Sequence, residues 1–326
     1  NVGFAALKLN TGAYKFFQLN LANVGTNNAA IFASGDLNSN FNSMGIRGIA
    51  LKRASDATAQ AYGLTANNKL LNFALNNPNA VMEKTITGLL VDEKFIGIDY
   101  RLRTTTTNSG KLYGLTNKAN LYTINTDTGM ANLITSLKPA MGSSFTTLDG
   151  TSFAVDFNPT ADRLRVISDS GQNLRINVDT GETFKDVNIG GIADAKVTAA
   201  AYTNSFATPV STLATELFDL NQTGNTLTKQ NPPNNGTLNL IGNLGINLGM
   251  DNGFDIAGGD NGFALAAVSG ASGPSMLYRI DLNSDTTITT PRARLAINMD
   301  GTPNLNASTI GSNSTPPVID LAILFK

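Results

Sequence analysis

The 326-residue chain contains no cysteine and no histidine. The first absence excludes disulfides and thiolate metal sites. The second removes the commonest general base and the imidazole metal ligand, and with them the usual serine–histidine triad. Charge is scarce as well: Asp, Glu, Lys and Arg make up 14% of the chain, against roughly 25% in an average soluble domain. The net charge is −1, so no electrostatic case exists for a nucleic acid or an anionic membrane as partner. No apolar run reaches the about 18 residues of a membrane-spanning helix. Neither a G-x-S-x-G elbow nor a phosphate-binding P-loop occurs.

Asn, Thr, Ser and 31 glycines supply the polarity instead. Such a surface is neutral and rich in turns and hydrogen-bonding groups, and it tends to associate rather than repel. The chain begins at Asn1. We expect an exported protein with its signal peptide already removed, extracellular or at the cell surface.

Residues 153–181 set the pattern for the rest. Phe153, Val155 and Phe157 alternate, and Asn158-Pro159 ends the run because proline cannot donate to a ladder. Leu164, Val166 and Ile167 form a second run, closed by Ser168-Asp169-Ser170-Gly171. Leu174, Ile176 and Val178 form a third, closed by Asp179-Thr180-Gly181, where glycine can take a positive φ. With a fourth strand over 183–189, this is the four-stranded unit of a β-propeller blade.

The unit recurs. One copy is expected at 46–51, 60–65, 69–75 and 81–87, and the next at 95–100, 111–116, 120–125 and 131–137. A fourth is expected at 197–203, 215–220, 226–230 and 238–244, and a fifth at 253–256, 263–268, 275–281 and 286–295. The echo of A-Y-G-L-T-A-N-N-K-L in L-Y-G-L-T-N-K-A-N-L is direct. The fold class read from this is all-β: a propeller of four-stranded antiparallel blades, five complete, with a sixth closed by the N- and C-terminal strands. Residues 1–45 form a separate segment for blade closure or subunit contact, and 46–326 form the propeller. Helix should be negligible, since no segment holds a 3.6-residue apolar period over three turns.

The carrying motifs are Y-G-L-T (62–65), G-I-D-Y-R (97–101), L-Y-G-L (112–115), the whole of 153–177, T-A-A-A-Y-T-N (198–204) and Q-N-P-P-N-N-G-T (230–237). On these residues the stretch from about 62 to 295 resembles a family of bacterial exported propeller domains with no assigned function. The resemblance implies a propeller in an extracytoplasmic setting and no particular activity. Residues 1–45 and 298–317 lie outside it.

Polar candidates crowd the third blade. Asp156, Asp162, Arg163, Arg165, Gln172, Asn173 and Arg175 read either as a ligand funnel gripping a carbohydrate or carboxylate, or as hydrogen-bonded glue between blades. Arg163 and Arg165 sit at i and i+2 and face one side, so they need acidic partners or an anion. Asp156 and Asp162 are the nearest carboxylates in sequence.

Asp281, Asn283 and Asp285 have the alternate-oxygen spacing of a calcium loop but lack its glycine and distal glutamate. The same rhythm in 125–129 and 177–181 argues for Asx turns at one structural position, with Ca²⁺ as the alternative. No cofactor is otherwise expected. The sequons at Asn221, Asn235, Asn306 and Asn313 are easily generated in an Asn-rich chain.

The functional reading is a non-catalytic extracellular structural or interaction protein that self-associates into a surface layer or filament. The alternative is a propeller that binds or hydrolyses a carbohydrate or lactone at its channel mouth. Extracellular glycans are the partners that this alternative implies. Subunit contact is assigned to the apolar N-terminal residues Phe4, Leu7, Leu9, Tyr14, Phe16, Phe17 and Leu19, because open apolar edges must be paired.

Overall fold

In the computed structural model, the described residues are 60–75, 77–102, 110–205, 214–257, 263–269, 274–284, 289–295 and 309–324, with the backbone of Ala59, of Phe325 and of three N-terminal strands. The chain divides into two compact units, 1–54 and 55–326. In the first, Val2–Lys8, Tyr14–Asn20 and Ile31–Asp36 form one antiparallel sheet in that order. Strands 2–8 and 14–20 flank the hairpin signal at Asn10-Thr11-Gly12. The side chains assigned to subunit contact, from Phe4 to Leu19, lie outside the described residues.

The second unit is a five-bladed propeller of antiparallel sheets. Blade 2 is Phe95–Arg101, Lys111–Thr116, Asn120–Ile124 and Ala131–Ser136. Blade 3 is Phe153–Asn158, Arg163–Ser168, Asn173–Ile176 and Glu182–Lys185. Blade 4 is Val197–Tyr202, Leu217–Asn221, Thr226–Gln230 and Leu238–Asn243. Blade 5 is Asn252–Ile256, Ala264–Val268, Met276–Ile280 and Ala293–Leu295. All four follow the expected spacing to within a few residues, except that the last strand of blade 5, expected over 286–295, is confined to Ala293–Leu295 among the described residues. The only helical turn among the described residues is Pro233–Asn235.

Blade 1 corrects the expected closure. Its inner strand is Val318–Phe325, which pairs antiparallel with Ala59–Thr65, followed by Lys69–Ala74 and Asn77–Thr85. The C-terminal strand therefore completes the first blade rather than founding a sixth, and the expected strand at 46–51 lies outside the described residues. The physical reason is edge protection: one apolar strand from each end of the ring hides the open edges of both. Val318, Leu321 and Ile323 are buried in the cluster between blades 5 and 1.

The five inner strands neighbour one another in a closed circuit, the fifth returning to the first. Apolar clusters fill the junctions between blades. Phe153, Val155 and Phe157 face blade 2, as their alternation requires.

Connections between blades add backbone bonds at the outer edge. Thr87 bonds across to Gly129 and Ala131, Lys138 to Gly181, and Gly190 to Gly236 and Leu238. Lys138–Pro139 makes a short parallel strand against blade 3. Gly129, Gly181 and Gly236 have φ of 78°, 75° and 65°. A Cβ on Gly181 would lie 2.1 Å from the Ser136 carbonyl oxygen, so both the turn and the passing chain require glycine there.

Candidate functional site

Each inner strand turns one edge toward the ring axis, where no further strand can pair with its N–H groups. Aspartates placed mid-strand answer part of that demand. Asp99 accepts the N–H of Tyr100 at 2.6 Å and reaches forward to Phe157 of blade 3 at 2.7 Å. Asp156 accepts Tyr202 of blade 4 at 2.9 Å. Asp255 accepts Ile323 of blade 1 at 2.5 Å, and Asp320 accepts Ile98 of blade 2 at 2.8 Å. Four of the five junctions are thus stapled by a carboxylate. The exception is the junction of blades 4 and 5, where the inner strand V-T-A-A-A-Y carries no acid and Asn252 donates to the Thr198 hydroxyl instead.

These four side chains are buried, with exposures from 2% at Asp320 to 5% at Asp99 and Asp255. One carboxylate oxygen from each of Asp99, Asp156 and Asp255 lies within 4.8 Å of the other two. Among the described residues no arginine or lysine forms an ion pair with any of the four. Burial, then the charges of Asp255 and Asp320, push Asp99 well above the usual carboxylate range against the pull of its two N–H donors. Burial followed by the Asp99 and Asp255 charges does the same to Asp156. Burial raises Asp255 to about 7 and raises Asp320 well above its ordinary value.

Two chemical outcomes fit so many acids in so little space. The carboxyls can retain protons, or they can share a cation. Oxygens within 4.8 Å of one another suit Ca²⁺, whose about 2.3–2.6 Å bonds place opposed ligands about 5 Å apart. A glycosidase pair would need about 5–5.5 Å or more, with a sugar between the acids, and these groups are enclosed.

A second polar assembly joins blade 3 to blades 2 and 4. Arg101, 2% exposed, grips Asp162 through Nε (2.9 Å) and Nη2 (2.7 Å), and Asp179 through Nη1 (2.7 Å) and Nη2 (2.8 Å). Arg165 donates to Tyr202, Asn173, Asp186 and Asn234, crossing from blade 3 to blade 4. Arg175 shares Asp186 and stacks on Phe184 at 5.0 Å. Among the described residues Arg163 bonds the carbonyls of Ala161 and Asp162 alone.

The sequence-derived set is therefore divided among different places. Asp156 belongs to the axis, and Asp162 is committed to Arg101. Gln172 braces a turn, accepting from Asp149 and donating to Thr147. Asn173 bonds across to Val187 and Pro233. Only Arg163, Arg165 and Arg175 line a common cavity. The partner of Arg165 is Asp186 rather than Asp156 or Asp162: Asp186 directly follows the outer strand Glu182–Lys185, and its N–H bonds the Asn173 carbonyl at 2.9 Å, which sets its carboxylate beside the guanidinium.

Asp281 accepts the N–H of Asn283 at 3.0 Å and lies 3.6 Å from Arg292, as an Asx turn does; Asp285 lies outside the described residues. Asn125 likewise accepts from Asp127 and Thr128, and Asn177 from Asp179.

Asp99, Asp255 and Asp320 escaped the sequence reading. The available signal was an acid in the middle of an apolar inner strand, in G-I-D-Y, G-F-D-I and V-I-D-L, where aspartate is disfavoured.

No curated protein matches the chain. Among solved structures, a structural-genomics protein of unknown function from Bacteroides thetaiotaomicron is 13% identical, over 82% of this chain and 76% of that one, with a TM-score of 0.43. An auxiliary nutrient binding protein from the same species is 13% identical over 58% of this chain and 48% of its own, with a TM-score of 0.34. One from Bacteroides ovatus is 11% identical over 56% and 46%, with a TM-score of 0.33. A family model does cover most of the propeller, matching residues 69–300, and the chain belongs to that family, described as Domain of unknown function (DUF4394).

Proposed function

We propose that this propeller is a non-catalytic extracellular binding domain, fastened at its axis by one hard divalent cation of the calcium class. Asp99, Asp156 and Asp255 would hold the ion, with Asp320 nearby adding negative charge. The observation that carries this reading is the approach of three buried carboxylate oxygens to within 4.8 Å, with no ion-paired arginine or lysine among the described residues. Burying acids without a counter-charge is costly, and an ion removes that cost while joining strands from blades 2, 3 and 5. Extracellular calcium modules bind at about 10⁻⁴–10⁻³ M, a range the outside of a cell can supply.

The test is a thermal melt of the full chain with calcium, magnesium or EDTA. A calcium-dependent rise in Tm that EDTA reverses, and that Asp156→Asn abolishes, is the expected result. A Tm indifferent to all three ions overturns the reading.

Self-association into a layer or filament is a second reading, favoured by one observation. The outer strands of blades 1 to 4 expose Met82 (60%), Leu133 (50%), Phe184 (40%) and Leu240 (55%) in turn. Exposed apolar residues on the outer strands suit contact with further copies or with another surface. Sedimentation of the full chain checks it: a monomer at all concentrations would count against assembly.

A further inference from the structure

The junction of blades 3 and 4 differs from the other four. Among the described residues its apolar cluster has seven buried members, whereas the others have twelve to fifteen. Polar groups take up the difference, and beside them opens a cavity of about 330 Å³. Arg163, Arg165 and Arg175 line it together with Tyr202, Thr215 and Asn234.

Its charge is unbalanced. Arg165 and Arg175 share the single carboxylate of Asp186, at 2.8 and 3.1 Å. Arg163 satisfies two carbonyls through Nη1 and forms no ion pair among the described residues; Asp179, the acid whose charge it influences, is held by Arg101. Behind Arg165, Asp219 is fully buried. Burial pushes its carboxyl well above the usual carboxylate range against the pull of Arg165 and Thr228, and among the described residues it forms no ion pair with the guanidinium. Arginine forks match carboxylate oxygens in plane and spacing better than a point charge does. The remaining lining is hydroxyl, amide and proline: Tyr202, Thr215, Asn234 and the rings of Pro232 and Pro233. That combination suits a hydroxylated ring with apolar faces.

We infer that this cavity binds a carboxylate-bearing sugar, with Arg163 and Arg175 as the groups that take its carboxylate. The site is separate from the axis, so it stands or falls independently of the cation. Its volume accommodates about one sugar residue within the range of small-molecule pockets.

Titration calorimetry of the full chain with D-glucuronate, D-glucose and inorganic phosphate tests the assignment. Glucuronate should bind at least about tenfold more tightly than glucose, a difference that added salt narrows. Arg163→Gln should lower glucuronate affinity about tenfold at nearly unchanged Tm, because Arg163 bonds only the neighbouring carbonyls of Ala161 and Asp162 and carries no ion pair among the described residues. Should that variant melt early, Thr215→Val replaces it, with a several-fold loss expected. No binding of glucuronate, equal binding of glucose, binding of phosphate alone, or full affinity in the variants would each overturn the inference.

Discussion

The carboxylate of Asp320, near the end of the chain, accepts the backbone N–H of Ile98 at 2.8 Å. Gly97 makes this approach possible. A Cβ there would lie 2.9 Å from Asp320 Oδ2 and 2.2 Å from Val155 Cγ2, and a branched valine cannot swing away. Gly97→Ala should therefore destabilise the propeller by about 1–3 kcal/mol, as overpacking does. Calorimetric melting would show this as a Tm lower by roughly 2–4 °C per kcal/mol.

The axial acids predict an unusual pH response in metal-free protein. Asp255 keeps its proton to about 7 in the fold but only to its ordinary value of 3.8 when unfolded. Between these values the native state binds more protons than the unfolded chain, so stability falls as pH rises through the window. Asp99, Asp156 and Asp320 shift in the same direction. In EDTA the Tm should be higher at pH 5 than at pH 7.5, and Asp255→Asn should flatten the profile. Calcium should narrow the difference, since the ion competes with the protons.

Arg101 should be the most sensitive arginine of blades 2 and 3. Arg101→Ala would leave Asp162 and Asp179 facing each other without their cation. Removing one partner of a buried pair costs about 3–5 kcal/mol, and urea unfolding would report it as a lower midpoint. Arg101→Lys should recover only part of the loss, because an ammonium cannot bridge two carboxylates in one plane.

The two ends of the chain should respond differently to deletion. Removing 318–326 takes away the inner strand of blade 1 and exposes the edge of Ala59–Thr65, and an unfolded or aggregated product is expected. Removing 1–54 takes away a unit with its own sheet, and the propeller should retain its β circular dichroism spectrum.

How far the sequence led depended on the range of the interaction. The strands of blades 2 to 4 were legible because alternation and turn chemistry are local. Lys111–Thr116 and Thr226–Gln230 fall where the pattern placed them, and the D-T-G turns hold the positive-φ glycines it required. The Asx geometry of Asn125, Asn177 and Asp281 followed from neighbouring residues alone.

Closure was not legible, since 46–51 and 318–325 both read as an inner strand and only the register with Ala59–Thr65 chose between 318–325 and a sixth blade. The polar residues of blade 3 were visible as a group, but their allegiances were not. Asp156 and Arg165 are register partners on adjacent strands, yet one carboxylate turns to Tyr202 N–H at the axis while the guanidinium bonds Asp186. The axial cluster draws one acid from each of four blades, across separations of 57 to 221 residues that no local pattern records. The sequence by itself determined the strands, their turns and the five-fold repetition, because those rest on contacts a few residues apart. Closing the ring decided which acids share a space, because only that step brings the inner strands to a common axis.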